Sequence, residues 1–255
     1  MNLSRQPFRV GSVPYLNAVP LTYGLERQID FLPPAQLALK LREGRLDAAL
    51  VSVTEVLFNR GYDILDGIAV SGRGKVRSVF LAHRRPLEAI KIIWCDTASL
   101  TSVNLLRVLL AERGLQPLFK PLPDYASAID LDAVLLIGNP AIDFLRSSPP
   151  HSLWDLGDAW FELSGLPFVY AVWALRQGLE NLQLKHRLKE ASCRGLENLD
   201  HIIRTRTDYD FDFRNAYLRE HIHYTLGESE KRGLEMFIAL LRKHSKETVY
   251  DPTFV

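Results

Sequence analysis

The pentapeptide Leu46-Asp47-Ala48-Ala49-Leu50 recurs 85 residues later as Leu131-Asp132-Ala133-Val134-Leu135. Both stretches are short apolar runs of the kind that form buried β-strands. The same offset relates Val10 to Cys95, Ser12 to Thr97 and Asn17 to Ser102. A strand, a polar loop and a helix are therefore repeated in register. This repeat predicts two similar α/β lobes, each of which directs a Ser/Thr/Asn-bearing loop into a shared cleft.

The elements around this repeat alternate between strands and helices. Strands are predicted at 8–10, 46–51, 68–71, 78–82, 90–95 and 131–137, and helices at 35–43, 56–58 and 100–113. Apolar runs without strict alternation are typical of strands covered on both faces, and they predict an α/β protein with mainly parallel sheets. Charged helical sequence follows through 185–206, 211–221 and 228–244. These segments predict a helical C-terminal tail that packs against the first lobe.

The composition is that of an ordinary globular protein and excludes several classes of protein. The chain has 255 residues, of which 47% are hydrophobic and 24% charged, and its formal net charge is +1. A nearly neutral chain has no global field to recruit nucleic acid or an anionic membrane surface. Cys95 and Cys193 are too few for a disulfide framework. With no export signal or apolar span recognised, we expect a cytoplasmic protein without nucleic-acid or membrane partners. The oligomeric state stays open.

The polar residues that follow the repeated strands predict a binding site for a small anion. They are Ser12 and Asn17 in the first loop, Ser52 and Gly138-Asn139 after the repeated strands, and Thr97, Ser99, Thr101 and Ser102 in the second loop. Hydroxyls, amides and backbone N–H groups at helix N-termini suit a carboxylate or a phosphate. The alternative for any single hydroxyl is that it caps a helix, so the prediction depends on the whole array.

Aromatic and basic residues supply further candidates for the cleft. Six aromatic side chains are clustered enough to shape a ring-sized pocket: Tyr15, Trp154, Trp160, Phe168, Tyr170 and Trp173. Because most large aromatic residues belong to the core, we expect two of the six to reach a ligand. Arg73, Lys75 and Arg77 flank a turn and are candidates for a carboxylate clamp. A solvated hairpin is the alternative for these three.

Motifs for other chemistries are not found in the sequence. The stretch 71–75, Ser-Gly-Arg-Gly-Lys, has neither of the two phosphate-loop spacings, and the acidic stretch 208–212 lacks the spacing of a calcium loop. His221 and His223 are two residues apart, so a helix would direct them to different faces. A Gly-x-Ser-x-Gly elbow does not occur. The sequence therefore predicts neither a metal site nor a cofactor.

Four longer motifs occur in a defined order within residues 9–175. They are Val10-Gly11-Ser12-Val13-Pro14-Tyr15-Leu16-Asn17-Ala18-Val19-Pro20-Leu21, Leu46-Asp47-Ala48-Ala49-Leu50-Val51-Ser52, Arg77-Ser78-Val79 and Ser99-Leu100-Thr101-Ser102. In this combination they resemble the chorismate dehydratases of the futalosine route to menaquinone. That family commonly has Gly-Asp-Ala where this chain has Gly138-Asn139-Pro140, so a role for an acid at this position does not carry over.

The resemblance implies a two-lobed periplasmic-binding-protein-like fold of the second type, used as an enzyme without a cofactor. We expect residues 1–84 and 176–255 to form the first α/β lobe with the helical tail, and residues 85–175 to form the second lobe. The implied reaction removes water from chorismate, a small dianion, to give 3-[(1-carboxyvinyl)oxy]benzoate. Loss of the C3 proton would push charge into the ring carboxylate before the C4 hydroxyl leaves, so donors on that carboxylate would stabilise the developing charge.

The same resemblance suggests roles for the candidate residues. Asn17 is the expected catalytic residue, placed against the C3/C4 region of the substrate. Ser52, Ser78, Thr101 and Ser102 are expected to bind the two carboxylates. The remaining expected substrate-binding residues are Ser12, Tyr15, Gly138, Asn139 and Tyr170. Neither Asn nor Ser is a good base near neutral pH, so the proton acceptor stays open, with a carboxylate of the substrate as one candidate.

Two other functions stay open at the level of the sequence. The sister enzyme of the same pathway releases dihydroxynaphthoate from a cyclic futalosine derivative and shares the fold, but the Tyr-Leu-Asn-x-x-Pro-Leu loop favours the dehydratase. A non-catalytic protein that binds a small carboxylate is the second alternative, and the lack of an export sequence counts against it. The effector lobe of a transcription factor is disfavoured because no basic helix-turn-helix segment precedes the lobes.

Overall fold

The computed structural model describes residues 8–96, 100–178 and 182–255, which form two separate β-sheets with surrounding helices. Thr97 and Ser99 lie outside the described residues. The strands are β1 (Val10–Ser12), β2 (Ile29–Phe31), β3 (Ala48–Ser52), β4 (Tyr62–Gly72), β5 (Val79–His83), β6 (Ile92–Cys95), β7 (Leu118–Pro121), β8 (Ala133–Ile137), β9 (Ser152–Asp155), β10 (Phe168–Arg176), β11 (His223–Leu226) and β12 (Thr253–Phe254). The helices are α1 (Pro34–Arg42), α2 (Val53–Phe58), α3 (Leu100–Glu112), α4 (Gly138–Arg146), α5 (Leu156–Ser164), α6 (Leu182–Glu197), α7 (Leu199–Thr205), α8 (Phe211–Ala216) and α9 (Glu228–His244).

Both sheets are mixed, and the prediction of mainly parallel sheets is wrong. The first sheet has the order β11-β4-β10-β3-β1-β2 with β12 on β4, and the second has the order β7-β6-β8-β5-β9. β10 runs antiparallel to β3 and β4, and β5 runs antiparallel to β8 and β9. The repeated strands β3 and β8 are apolar because both of their faces are buried. That burial does not depend on the direction of the neighbouring strand, so it could not reveal the antiparallel pairs.

The internal repeat of the sequence is present in the topology. β8 begins 85 residues after β3, and both strands have five residues. In each sheet the repeated strand lies between one parallel neighbour, β1 or β6, and one antiparallel neighbour, β10 or β5. The predicted two-lobed α/β architecture is therefore confirmed.

The chain crosses from the first sheet to the second after β4 and returns with β10. The strand at 79–83 therefore pairs in the second sheet and the strand at 168–176 in the first. The expected lobe boundaries at 84/85 and 175/176 instead place the strand at 79–83 in the first lobe and nearly all of the strand at 168–176 in the second. An apolar strand does not show which sheet it joins, because both sheets bury their strands. The turn at 72–74 therefore connects β4 of the first sheet to β5 of the second and does not form a β-hairpin.

The predicted helices are present, and the C-terminal segment contributes more than helices. α1, α3 and α9 match the predicted ranges to within one residue. The predicted range 185–206 corresponds to two helices, α6, which begins three residues earlier, and α7. The range 211–221 contains α8 followed by one turn of π-helix, Tyr217–His221. β11 and β12 both pair with β4, so this segment completes the first sheet as well as covering it.

The loop that carries Asn17 forms a 3₁₀ helix, Leu16–Leu21, which packs closely against α6. A Cβ atom on Gly195 of α6 would lie 1.9 Å from the backbone oxygen of Pro20. Only glycine permits so close an approach of the two backbones. The position of Asn17 therefore depends on a helix of the C-terminal segment.

Candidate active site

A cleft lies between the two sheets, where β1, β3 and β8 end. Open α/β sheets bind ligands at this edge, because loops from the carboxyl ends of the strands meet there. Apolar side chains from both lobes form much of the wall: Val13, Leu50, Val70, Val79, Ile137 and Ile222.

Seven of the ten predicted site residues line this cleft. They are Tyr15, Asn17, Ser52, Ser78, Ser102, Gly138 and Tyr170. Loops from both sheets therefore bring hydroxyl, amide and phenol groups to one cavity, as the repeat in the sequence predicts. Lysine, arginine, aspartate, glutamate and histidine do not occur among the described residues that line it. An anion in this cleft must be held by neutral donors.

The other three predicted residues use their side chains elsewhere. Ser12 is fully buried and donates to the next backbone carbonyl group at 3.4 Å. Thr101 is also fully buried, and its Oγ1 accepts from the backbone N–H of Thr54 at 3.1 Å and pairs with the Thr54 hydroxyl at 3.0 Å. Asn139 Oδ1 accepts from the backbone N–H of Leu16 at 3.5 Å. Thr101 and Asn139 thus connect elements of the fold, Ser12 bonds within its own loop, and none of the three lines the cleft.

Three helices begin at the cleft. Ser52 is the N-cap residue of α2, Ser102 lies in the first turn of α3, and Gly138 is the first residue of α4. The first turn of a helix presents backbone N–H groups without intrahelical partners and carries a partial positive charge. The cleft therefore combines hydroxyl donors with the positive ends of helices, which favours a bound carboxylate although no cationic side chain lines the described wall.

A buried tyrosine from the C-terminal segment connects two of the cleft residues. Tyr217 is 1% exposed, and its hydroxyl donates to Ser78 Oγ at 2.8 Å. The side chain of Asn17 lies beside this hydroxyl and lowers its pKa, although burial raises that pKa overall. Tyr217 is not among the residues predicted from the sequence, because no motif marks it and its partner Ser78 is 139 residues away in the chain.

Tyr15 reaches from the first lobe to the second. A Cβ atom on Gly138, whose φ is +57°, would lie 3.1 Å from the ring of Tyr15. Burial and the negative charge of Asp96 raise the pKa of Tyr15 to about 12. Asp96 is buried and accepts a hydrogen bond from the hydroxyl of Tyr125 at 3.0 Å. Tyr15 is therefore a neutral phenol near pH 7.

Two of the six aromatic candidates, Tyr15 and Tyr170, line the cleft. Trp160, Phe168 and Trp173 are fully buried in the core, where Trp160 and Phe168 pack edge to face. The guanidinium group of Arg113 lies over the ring of Trp154, with 4.7 Å between the guanidinium carbon and the ring centroid.

The predicted basic clamp does not line the cleft. Arg73 stacks on the ring of Phe161 at 5.2 Å, and Lys75 pairs with Asp158 at 3.8 Å. The side chain of Arg77 is exposed, while its backbone N–H donates to Asp155 at 2.8 Å. The three residues belong to the crossing between the sheets, so the idea that they clamp a carboxylate in the cleft is not supported by their positions.

Within the described ranges, no group of three or more His, Cys, Asp or Glu side chains is arranged to hold a metal ion. None of the helices in these ranges is long and apolar enough to cross a membrane.

Comparison with known proteins gives a family and a fold. A family model described as menaquinone biosynthesis matches residues 8–243. The chorismate dehydratase of Thermus thermophilus is 30% identical and aligns with 92% of this chain and 96% of that protein. The chorismate dehydratase of Campylobacter jejuni is 27% identical and aligns with 88% of this chain and 89% of that protein.

The fold is shared with solute-binding proteins. The alkanesulfonate-binding protein SsuA from Xanthomonas axonopodis, solved with MOPS bound, has a TM-score of 0.67 at 16% identity, over 93% of this chain and 92% of that chain. The predicted periplasmic-binding-protein-like fold is therefore confirmed.

Proposed function

The chain belongs to the menaquinone biosynthesis family, and on that premise we propose that it is the enzyme that removes water from chorismate to give 3-[(1-carboxyvinyl)oxy]benzoate. The observation that carries this proposal is the cleft between the lobes. It is lined by Asn17, three serine hydroxyls and the beginnings of three helices, without a charged side chain on its described wall. Both relatives described above have the name chorismate dehydratase.

Neutral donors of this kind suit a substrate with two carboxylates. Ser52, Ser78 and Ser102 donate to the carboxylate oxygens together with backbone N–H groups at the beginnings of α3 and α4. The apolar wall around them lowers the local dielectric and strengthens each of these hydrogen bonds. The ring of the substrate packs against the wall and against Tyr15 and Tyr170.

The reaction needs charge stabilisation more than a strong acid. The C3–H bond breaks, its electron pair moves through the ring diene toward the ring carboxylate, and the C4–O bond then breaks as the ring becomes aromatic. The departing hydroxide and the C3 proton together make the water that is released. Donors already in place at the ring carboxylate stabilise the charge as it develops, an effect for which a single donor contributes on the order of 3 kcal/mol.

The proton acceptor in this proposal is the substrate's own side-chain carboxylate. The cleft wall offers amide and hydroxyl groups, and Tyr15, with a pKa of about 12, stays protonated near pH 7. None of these groups is a good base. A carboxylate that arrives on the substrate and is held near C3 by the serines supplies the missing base, and the closed cleft supplies the orientation.

Asn17 then orients the C4 hydroxyl. Its side chain lines the cleft and lies beside Tyr217. An amide is suited to this task because it hydrogen-bonds a neutral hydroxyl without changing protonation state. We therefore assign it to positioning and to the departure of the C4 hydroxyl. The cytoplasmic location expected from the sequence belongs to this proposal too.

The purified protein incubated with chorismate tests the proposal. Mass spectrometry should show a product lighter than chorismate by one water, and its ultraviolet spectrum should show a new aromatic ring. A parallel incubation without protein corrects for the spontaneous rearrangement of chorismate. Chorismate that binds stoichiometrically but is recovered unchanged would instead indicate a binding protein. Release of dihydroxynaphthoate from a cyclic futalosine derivative, with chorismate unchanged, would indicate the sister enzyme.

A further inference from the structure

The hydroxyl of Tyr217 has a definite hydrogen-bond direction. It donates its one proton to Ser78 Oγ at 2.8 Å. Because that proton is used, the same oxygen can only accept from a further neighbour, and Asn17, whose side chain lies beside it, has its amide nitrogen as the one donor group. Tyr217 therefore lies between Asn17 and Ser78.

This direction determines what the two cleft residues can offer a substrate. Ser78 receives a hydrogen bond from Tyr217, so its own proton can be donated to an anion in the cleft that it lines. An Asn17 amide that turns its nitrogen toward the oxygen of Tyr217 directs its carbonyl oxygen away from it. A hydroxyl that both donates and accepts is polarised by its neighbour, which strengthens the outer hydrogen bond.

The backbone holds Tyr217 in place. It is the first residue of the π-helical turn Tyr217–His221, which follows α8, and its ring stacks on Phe213 with centroids 5.4 Å apart. Single π-turns inside helices are rare and occur often at functional sites. Ile222, directly after this turn, lines the cleft. The C-terminal segment thus completes the cavity, beyond packing against the first lobe.

We propose that Tyr217 is a positioning residue for the dehydration, which orients the Asn17 amide and turns the Ser78 hydroxyl into a donor to the substrate. The proposal rests on the function proposed above. Tyr217 itself does not line the cleft, so it acts through its two partners.

Tyr224 provides a matched control. It lies in β11 of the same segment and is 6% exposed, but its hydroxyl has no hydrogen-bond partner among the described residues. The variant Tyr224→Phe therefore removes a buried tyrosine oxygen from the same segment, but one that is not bonded to Asn17 or Ser78.

The test compares Tyr217→Phe with Tyr224→Phe in steady-state turnover of chorismate. For Tyr217→Phe, kcat/KM should fall by about tenfold to hundredfold, mostly in kcat, because misplaced groups lose orientation rather than binding. For Tyr224→Phe we expect a change within about twofold, since no interaction is lost. The two melting temperatures are measured alongside.

A double-mutant cycle separates positioning from general damage. If Tyr217 acts through Asn17, then Tyr217→Phe in an Asn17→Ala background should cost much less than in the wild type. If the losses of activity caused by Asn17→Ala and by Tyr217→Phe multiply in the double variant, the proposal is wrong. Equal activity of Tyr217→Phe and Tyr224→Phe would also overturn it. If Tyr217→Phe also lowers the melting temperature, the same cycle still decides, because a loss of activity from general damage would multiply with the loss from Asn17→Ala. Failure of the wild type to convert chorismate would overturn the proposed function, and this inference with it.

Discussion

At the scale of single residues, the cleft divides the polar side chains into those that face the cavity and those that hold elements together. Ser102 and Thr101 are neighbours in α3, yet Ser102 lines the cleft while Thr101 bonds to Thr54 of α2. One residue along a helix turns the side chain by about 100°. Neighbouring hydroxyls of similar chemistry therefore have different tasks.

Substitution of these two neighbours should give opposite results. Thr101→Val should lower the free energy of unfolding by about 1–3 kcal/mol, because the buried N–H and hydroxyl of Thr54 lose their partner. Its KM for chorismate should change little. Ser102→Ala should raise KM. Chemical denaturation and steady-state kinetics on both variants check this, and a raised KM for Thr101→Val alone would refute the division.

Asn17→Ala should separate catalysis from binding. The apolar wall and the serine donors remain, so the affinity for chorismate should stay within about threefold, whereas kcat should fall by about hundredfold or more through lost orientation. Calorimetric titration and steady-state turnover give the two quantities. An equal loss in affinity and in turnover would assign Asn17 to binding alone.

At the scale of elements, the repeated Leu-Asp-Ala stretch contains two aspartates in different environments. Asp47 lies directly before β3, and its side chain, 13% exposed, accepts from Arg9 at 2.7 Å and from Arg176 at 3.1 Å. It thereby ties β3 to the residue before β1 and to the end of β10. Asp132, its counterpart before β8, is 59% exposed and pairs with Arg85 at 2.9 Å. The same sequence position therefore stabilises one lobe more than the other.

Asp47→Asn should destabilise the protein more than Asp132→Asn. We expect a loss of about 2 kcal/mol for Asp47→Asn, where buried charged hydrogen bonds weaken, and less than about 0.5 kcal/mol for the exposed pair. Burial opposes the ionisation of Asp47, but the hydrogen bonds from Arg9 outweigh it and lower its pKa below the ordinary 3.8.

The lowered pKa of Asp47 makes this contribution depend on pH. Its stabilisation is fully present above the ordinary pKa and is lost as the pH falls through the lower folded value. The stability difference between the wild type and Asp47→Asn, measured by denaturation at several pH values, should therefore shrink below about pH 4. A difference that grows on acidification would contradict this account.

At the scale of the whole molecule, the contacts around α4 are one of the places where the two lobes meet. Gly138 packs on Tyr15, and Asn139 accepts from Leu16 at 3.5 Å. Arg146, in the last turn of α4, pairs with Asp210 at 2.5 Å. These contacts connect the second lobe both to the loop of Asn17 and to the C-terminal segment.

Gly138→Ala should disturb the cleft through this contact between the lobes. Gly138 and Gly165 both have positive φ, +57° and +68°, so an alanine at either costs roughly 1–2 kcal/mol of backbone strain. Only the Cβ at 138 would press on the ring of Tyr15, since nothing lies within 4 Å at 165. KM for chorismate should therefore rise severalfold in Gly138→Ala and stay unchanged in Gly165→Ala. Equal kinetics for two equally destabilised variants would show that this contact does not shape the site.

The sequence by itself determined the repeated halves, the strands β3 and β8, the principal helices and the presence of a cleft with neutral donors between two lobes. These features depend on local periodicity and on the residues that follow a strand, and both can be read from the sequence alone. Tertiary structure alone decided the antiparallel insertion of β5 and β10, the sheet to which each belongs, and the choice of Ser102 over Thr101 for the cleft. It also decided that Tyr217 lies beside Asn17 and Ser78. Pairing and side-chain direction of this kind depend on contacts between distant residues, so no local pattern could reveal them.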